Sequence, residues 1–272
     1  MLLTTVPDYH MHTPRCNHAI GDVIEYAQVA VQLGIKEIGF SDHCPMPNGF
    51  DAQWRMSYEQ LDAYLSEIEA ARAHFAADLK IRVGLELDYV PHHEAWLQKL
   101  SDYYDWDYLI GSVHFIGDWA FDNEDHLDDW QHKNINEAYV SYYDVVAESA
   151  KSGFFDVIGH PDLIKKFGHR ATANDPAVHA AEERMLQAVK QANIALEISS
   201  AGLRKPVAEV YPHARILARA AELGIPFCFG SDAHAPGEVG YAMQDCVQML
   251  DACGVSAIHS FEKRQRCLLS LR

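Results

Sequence analysis

This chain of 272 residues has no long apolar run, no paired-cysteine motif and little positive charge, and each absence narrows its possible roles. No stretch approaches the roughly 18 consecutive apolar residues of a membrane-spanning helix. The opening "MLLTTVPDYH" lacks a basic region ahead of its short apolar stretch, so no secretory signal is expected there. Cys16, Cys44, Cys228, Cys246, Cys253 and Cys267 form no CxxC pair, which points to reduced thiols and a cytoplasmic setting rather than a disulfide framework. Most read as small buried hydrophobes; Cys16 and Cys44 stand apart because histidines flank them. Lys and Arg total 22 against 39 Asp and Glu, a net charge of −17 with histidine neutral. Such a surface repels phosphate backbones, so no nucleic acid partner is expected, although bound divalent metals would create a local positive centre. Neither a linker, an internal repeat nor a low-complexity tract divides the chain. Residues 1–272 are therefore read as a single domain, with 49% hydrophobic residues to supply its core.

What the chain does contain is an alternation of short β-branched or aromatic runs with longer segments of helical period. Seven strand candidates cover 6–12, 36–43, 80–90, 107–115, 155–162, 194–200 and 226–234. Helix candidates cover 21–33, 57–76, 92–103, 135–151, 176–192, 212–223 and 240–252. Gly34 stands where a C-cap glycine belongs, Asp175-Pro176 reads as an N-cap followed by a first-turn proline, and Pro212 is expected to open its helix in the same way. Seven βα units imply an α/β fold with a parallel sheet and helices outside, either open or closed into a barrel.

The placement of histidines and acids favours closure. His10 and His12 end the first strand candidate, His43 the second, His114 the fourth, His160 the fifth, and Asp232 with His234 the seventh; Glu86 lies late in the third. Only the sixth candidate, with Glu197, lacks an evident ligand at its end. Seven strands laid flat at ~4.8 Å spacing would spread these groups over ~30 Å. A closed parallel barrel gathers the same strand ends on one face.

His10 and His12, two apart on a strand, point to one side and can share an ion. With His18 and the motifs "SDH", "GLELD", "SVH", "GHPD" and "SDAH", the set reaches seven histidines and two acids, too many to be satisfied core residues. Imidazole with carboxylate favours zinc, iron or manganese over magnesium or calcium. Nine ligands exceed one coordination sphere, so two or three divalent metal ions with a bridging carboxylate use them. The nine other histidines fall in helices or polar loops and read as solvated or packing residues.

The order HxH, His18, SDH, ExD, SVH, GHPD and SDAH resembles the PHP family, named for polymerase and histidinol phosphatase. "DYHMHTPRCNHA", "SDHCPMP", "SVHFIGDWAFDN" and "SSAGLRKPVAEVYP" are similar to its histidinol-phosphate phosphatase branch, and the similarity runs from residue 8 to about 245. The resemblance implies a distorted (β/α)7 TIM-like barrel. It implies a first metal on His10, His12, Glu86 and Asp232, a second bridged by Glu86 and held by His114 and His160, and a third on His18, His43 and His234. The expected reaction is hydrolysis of L-histidinol phosphate to L-histidinol and phosphate, a step of histidine biosynthesis, by in-line attack of water on phosphorus. Glu86 acts there as the bridge, and Asp232 or its neighbour His234 as the proton shuttle for the leaving oxygen. Arg204 is the expected phosphate clamp, with Lys166 and Lys165 as weaker candidates. Trp119 and Phe121 are placed to stack on an imidazole, and Asp122 to pair with the amine.

Alternative substrates for the same ligands are nucleotides, oligonucleotide ends and phosphotyrosine. A barrel hydrolase that cleaves C–N bonds also begins with HxH, but such enzymes commonly carry a modified strand-end lysine, and none occurs here. A non-catalytic metal-binding protein is the remaining class.

Overall fold

The computed structural model describes residues 5–271, so the apolar start read above as too short for a signal lies largely outside the described residues. Six parallel strands run in chain order: β1 (Glu37–Phe40), β2 (Lys80–Asp88), β3 (Tyr108–Ser112), β4 (Val157–Ile158), β5 (Ala195–Ser199) and β6 (Phe227–Gly230). Each neighbouring pair is parallel, for example Glu86 opposite Ile110 and Glu197 opposite Cys228. The first strand candidate is not a regular strand. Residues 8–12 nevertheless lie between the two sheet edges and bond to both. On one side Gly39 N donates to Asp8 O (2.8 Å) and Ser41 N to Met11 O (2.9 Å); on the other, Tyr9 N donates to Phe229 O (3.1 Å) and His12 N to Ala233 O (2.9 Å). This seventh segment closes the ring. The Asp8 carboxylate ties it further, accepting from Ser231 N and Gly240 N, both at 2.8 Å.

Among the described residues seven α-helices flank the sheet: α1 (Val23–Leu33), α2 (Leu61–His74), α3 (Glu94–Ser101), α4 (Ile135–Lys151), α5 (Pro176–Ala192), α6 (Ala214–Glu222) and α7 (Met243–Ala252). Asp22 and Glu25 form a reciprocal capping box at the start of α1, and Gly34 ends it at φ +77°. Asp175 caps α5 ahead of Pro176, as its dipeptide predicts. Pro212 departs from expectation: it follows Tyr211 through a cis bond, and His213 is the N-cap of α6. None of the helices among the described residues is long and apolar enough to cross a membrane.

Beyond residue 252, where no strand or helix is expected from the sequence pattern, the structure has an antiparallel hairpin of β7 (Ala257–Glu262) and β8 (Gln265–Ser270). It lies across the N-terminal ends of the barrel strands. Arg82 bonds Glu262, Lys263 N donates to Asp107, and Arg264 pairs with Asp156, just before β4. Phe261 enters the barrel from this end and packs with Tyr9, Tyr108, Ile110, Val157, Ala195 and Cys228. The interior is thus filled at the N-terminal end, leaving the C-terminal end for chemistry.

Candidate metal centre and its cavity

The regular strands end earlier than their sequence patterns. His43, His114, His160, Asp232 and His234 all lie just past the ladder, while Glu86 stays within β2. His160 and Asp232 have positive φ, +24° and +53°, so the chain turns out of its strand at both positions. These turns bring the side chains over the barrel mouth around Glu86, which is fully buried.

Glu86 Oε1 lies 2.9 Å from His160 Nε2, 3.4 Å from His10 Nε2 and 3.7 Å from His114 Nε2. Its Oε2 lies 2.8 Å from His43 Nδ1 and 3.8 Å from His12 Nε2. Asp232 Oδ1 is 3.0 Å from His12 Nε2, 3.8 Å from His10 Nε2 and 3.5 Å from His234 Nδ1. The His12 and His234 rings stack at 4.0 Å, and His18 stacks on His234 at 4.6 Å. All nine sequence-derived ligand candidates therefore converge. Their separations group His10, His12 and Glu86; His43, Glu86 and His114; and His12, His43 and His234. His43 so stands between Glu86 and the His18–His234 pair, closer to Glu86 than the implied third site would place it.

Three carboxylates behind the ligands went unassigned in the sequence. His10 Nδ1 lies 2.7 Å from Glu197 Oε1, His114 Nδ1 2.6 Å from Asp88 Oδ1, and His12 Nδ1 3.3 Å from Asp42 Oδ1. Each fixes one ring nitrogen and leaves Nε2 facing inward, the arrangement by which ligand histidines are oriented. Glu197 also accepts from His160 N at 2.7 Å, so the one strand end without a ligand holds two ligand-bearing segments. Ser112 Oγ donates to Glu86 Oε1 at 2.6 Å. Asp88 is further paired with buried Arg55, which also bonds Asp51 (2.8 Å). The signal for these supports was the spacing itself: Asp42 precedes His43, and Asp88 shares the Glu86 face.

A metal fits this donor set. His10 Nε2, His12 Nε2, His43 Nδ1, Glu86 Oε2 and His234 Nε2 are buried and make no hydrogen bond. Leaving so many inward-facing polar atoms unmatched is costly unless an ion takes them. Tetrahedral zinc with bonds near 2.0–2.1 Å implies ligand separations of about 3.3 Å, close to the 3.0 and 3.4 Å seen here. Burial pushes His18 and His234 down and His43 to about 3, which keeps these imidazoles neutral and free to ligate. Burial opposes charge on His114 too, but Asp88 and Asp122 outweigh it and raise the ring to about 9. Burial likewise works against the Glu86 carboxylate, yet the imidazoles around it, the charged His10 among them, hold it well below the usual range.

Above the cluster opens a cavity of about 270 Å³. Besides ligands it is lined by Asp51, Trp54, Arg55, Phe115, Asp122, Glu124, Lys166, Lys205 and Tyr211. Asp122 and Lys166, expected at the substrate, do line it and pair with each other at 3.2 Å. Trp119 and Phe121 do not line it: Trp119 packs on Trp130 (4.7 Å) and Phe121 on Tyr142 (5.3 Å), and the aromatic walls are Trp54, Phe115 and Tyr211 instead. Arg204 also stands outside the lining. It donates to Ser231 O (2.8 Å) and Asp232 O (2.9 Å) and pairs with Glu238 (3.2 Å), so it braces the segment carrying Asp232 rather than reaching into the cavity. Lys165 is buried against Asp162 (2.8 Å) and Val210 O (2.8 Å).

Comparison with known proteins converges on one group. A family model described as PHP domain matches residues 8–201, and one described as PHP-associated matches residues 211–245. Over 252 residues the chain is 46% identical to a probable histidinol-phosphatase of Deinococcus radiodurans, spanning 93% of this chain and 95% of that protein. Over 258 residues it is 31% identical to a histidinol-phosphatase of Bacillus subtilis, spanning 87% and 96%. A crystal structure of histidinol phosphate phosphatase from Lactococcus lactis, complexed with zinc, L-histidinol and phosphate, shares the fold with a TM-score of 0.83 at 21% identity, covering 97% of this chain and 99% of that one.

Proposed function

This chain belongs to the PHP-domain family, and on that footing we propose that it is a metal-dependent phosphatase that hydrolyses L-histidinol phosphate to L-histidinol and phosphate. The observation that carries the reading is a buried carboxylate, Glu86, faced by five imidazoles at 2.8–3.8 Å at the base of a small-molecule cavity. Following the family pattern, two or three zinc, iron or manganese ions would be held by His10, His12, Glu86 and Asp232 for one, Glu86, His114 and His160 for a second, and His18, His43 and His234 for a third. Such ions supply Lewis acidity at phosphoryl oxygens and lower the pKa of water.

The chain's own side chains do the rest. Lys166 and Lys205 line the cavity as cations for the phosphoryl group. Asp51, Asp122 and Glu124 present carboxylates to the ammonium group of the substrate, and Trp54 and Phe115 offer faces for its imidazole. Asp232, or its neighbour His234, would carry the proton released by the attacking water to the departing alkoxide. Residues 1–272 act as one catalytic unit, a cytoplasmic enzyme on a small phosphate ester with no nucleic-acid or membrane partner.

The test is phosphate release from L-histidinol phosphate, nucleotides, phosphotyrosine and an aryl phosphate, each with zinc, iron or manganese. A kcat/KM at least ~100-fold higher for L-histidinol phosphate, worth ~2.7 kcal/mol of transition-state binding, supports the assignment. Faster turnover of a nucleotide or the aryl ester overturns the substrate while leaving the phosphatase chemistry in place.

A further inference from the structure

One cavity-lining group has no role so far. The C-terminal end of β5 carries no metal-ligand candidate, and Tyr211 is bonded onto it: Ser199 N donates to Tyr211 O (2.7 Å) and Tyr211 N to Ser199 O (2.9 Å). The ring is fully buried and lines the cavity beside His160, whose ring centre is 6.4 Å away. Lys165 Nζ sits 5.3 Å from the ring centre, itself anchored by Asp162 and Val210 O. On another side Gly202 admits the ring: a Cβ there would lie 3.0 Å from Tyr211 Cε2 and Cζ and 2.0 Å from Glu209 O. A ring this firmly seated nevertheless leaves its hydroxyl with no hydrogen-bond partner. A buried, unmatched hydroxyl is disfavoured in a resting protein unless a ligand completes it.

We infer that Tyr211 is a further substrate-binding residue, its Oη donating a hydrogen bond to a non-bridging phosphoryl oxygen of the bound ester. The inference deepens the phosphatase reading and rests on it. A phenol carries its proton at neutral pH, so its Oη has a hydrogen to donate. Because the backbone bridge, Lys165 and Gly202 fix the ring beforehand, little reorganisation accompanies binding.

The experiment compares zinc-loaded wild-type protein with Tyr211→Phe, which removes only the hydroxyl. Inorganic phosphate affinity is measured by calorimetry, alongside kcat and KM for L-histidinol phosphate and p-nitrophenyl phosphate, zinc content and Tm. Loss of one hydrogen bond to an anion predicts phosphate binding weakened about 10- to 100-fold, with zinc content unchanged and Tm unchanged or slightly raised. Phosphate affinities within twofold of each other overturn the inference, as does a loss accompanied by lower Tm or zinc content, which marks a structural role. Failure of the wild type to turn over either ester removes the phosphatase reading instead, while the phosphate affinities still decide for or against the Tyr211 contact.

Discussion

Glu197 is the sharpest test of how the centre is held. Its two oxygens each take one donor: Oε1 lies 2.7 Å from His10 Nδ1, and Oε2 accepts from His160 N at 2.7 Å. Glu197→Gln preserves the shape but offers only one acceptor, so its amide NH2 must oppose one of the two donors. A buried donor left unmatched costs about 1–3 kcal/mol. Either outcome misplaces a ligand, since one turns the His10 ring and the other shifts the segment bearing His160. Disturbing such a support typically lowers metal affinity about 10- to 100-fold, equivalent to roughly 1.4–2.7 kcal/mol. Gly230→Ala reaches the same point from the opposite side, because its Cβ would lie 1.9 Å from Glu197 Oε1 and 2.7 Å from His10 Cβ. Zinc affinity by competition with a chromophoric chelator should fall in both variants, and kcat/KM measured at limiting metal should fall with it. Restored activity at saturating zinc would locate the defect in metal retention. Zinc affinities within about threefold of wild type in both variants would refute the assignment of Glu197 as the support of His10.

Three other outcomes are expected. Carboxylates around His10, His12 and His114 outweigh burial and raise these imidazoles, His114 to about 9, so the metal-free protein holds protons there at pH 7 that metal must displace. Zinc loading should release protons at pH 7, less toward pH 9, and affinity should rise across that window; calorimetry in buffers of different ionisation enthalpy checks it, and no release contradicts it. Arg55→Met strands the fully buried Asp88 without its guanidinium, a loss of about 3–5 kcal/mol, and the metal-free Tm should drop by roughly 10 °C; an unchanged melt excludes the pair as a stabilising element. Gly84→Ala would place a Cβ 2.6 Å from Tyr108 Cζ in the barrel interior, so denaturant titration should show about 1–3 kcal/mol lost to overpacking, while equal midpoints would mean that the interior yields freely.

The barrel was legible because its evidence was distributed. One HxH pair is weak, but ligand types at six of seven strand ends admit few arrangements other than a closed ring. The strand lengths were not legible. Sequence pattern carries β4 through residue 162, whereas the positive φ at His160 limits it to Val157–Ile158. The same turn that ends the strand aims the ligand. The C-terminal hairpin was missed for a local reason: its turn is Lys263-Arg264, both at positive φ, where asparagine or glycine would have advertised it. Arg264 and Arg266 instead hold the hairpin by reaching Phe154 O and Asn193 O, long-range bonds that leave no trace in spacing.

Within the site, ligands were readable and their neighbours were not, and the difference follows from what each must satisfy. A ligand must be a histidine or carboxylate at a strand end, two conditions visible in sequence. A residue that touches substrate must also face inward, which depends on loop packing. Trp119 and Phe121 have the right chemistry but are drawn into an aromatic cluster with Trp130 and Tyr142, whereas Trp54 arrives from a 3-10 turn far away in the chain. Arg204 is captured by Glu238, Ser231 O and Asp232 O, so the cation that best suits phosphate on chemistry alone is committed to bracing Asp232. The acidic composition takes on a second meaning here. Asp42, Asp88 and Glu197 never see solvent: each stands behind a histidine and sets its ring. Part of the chain's net charge of −17 is thus not on its outer surface but buried, where it orients the ligands that would hold the phosphate's counter-charge.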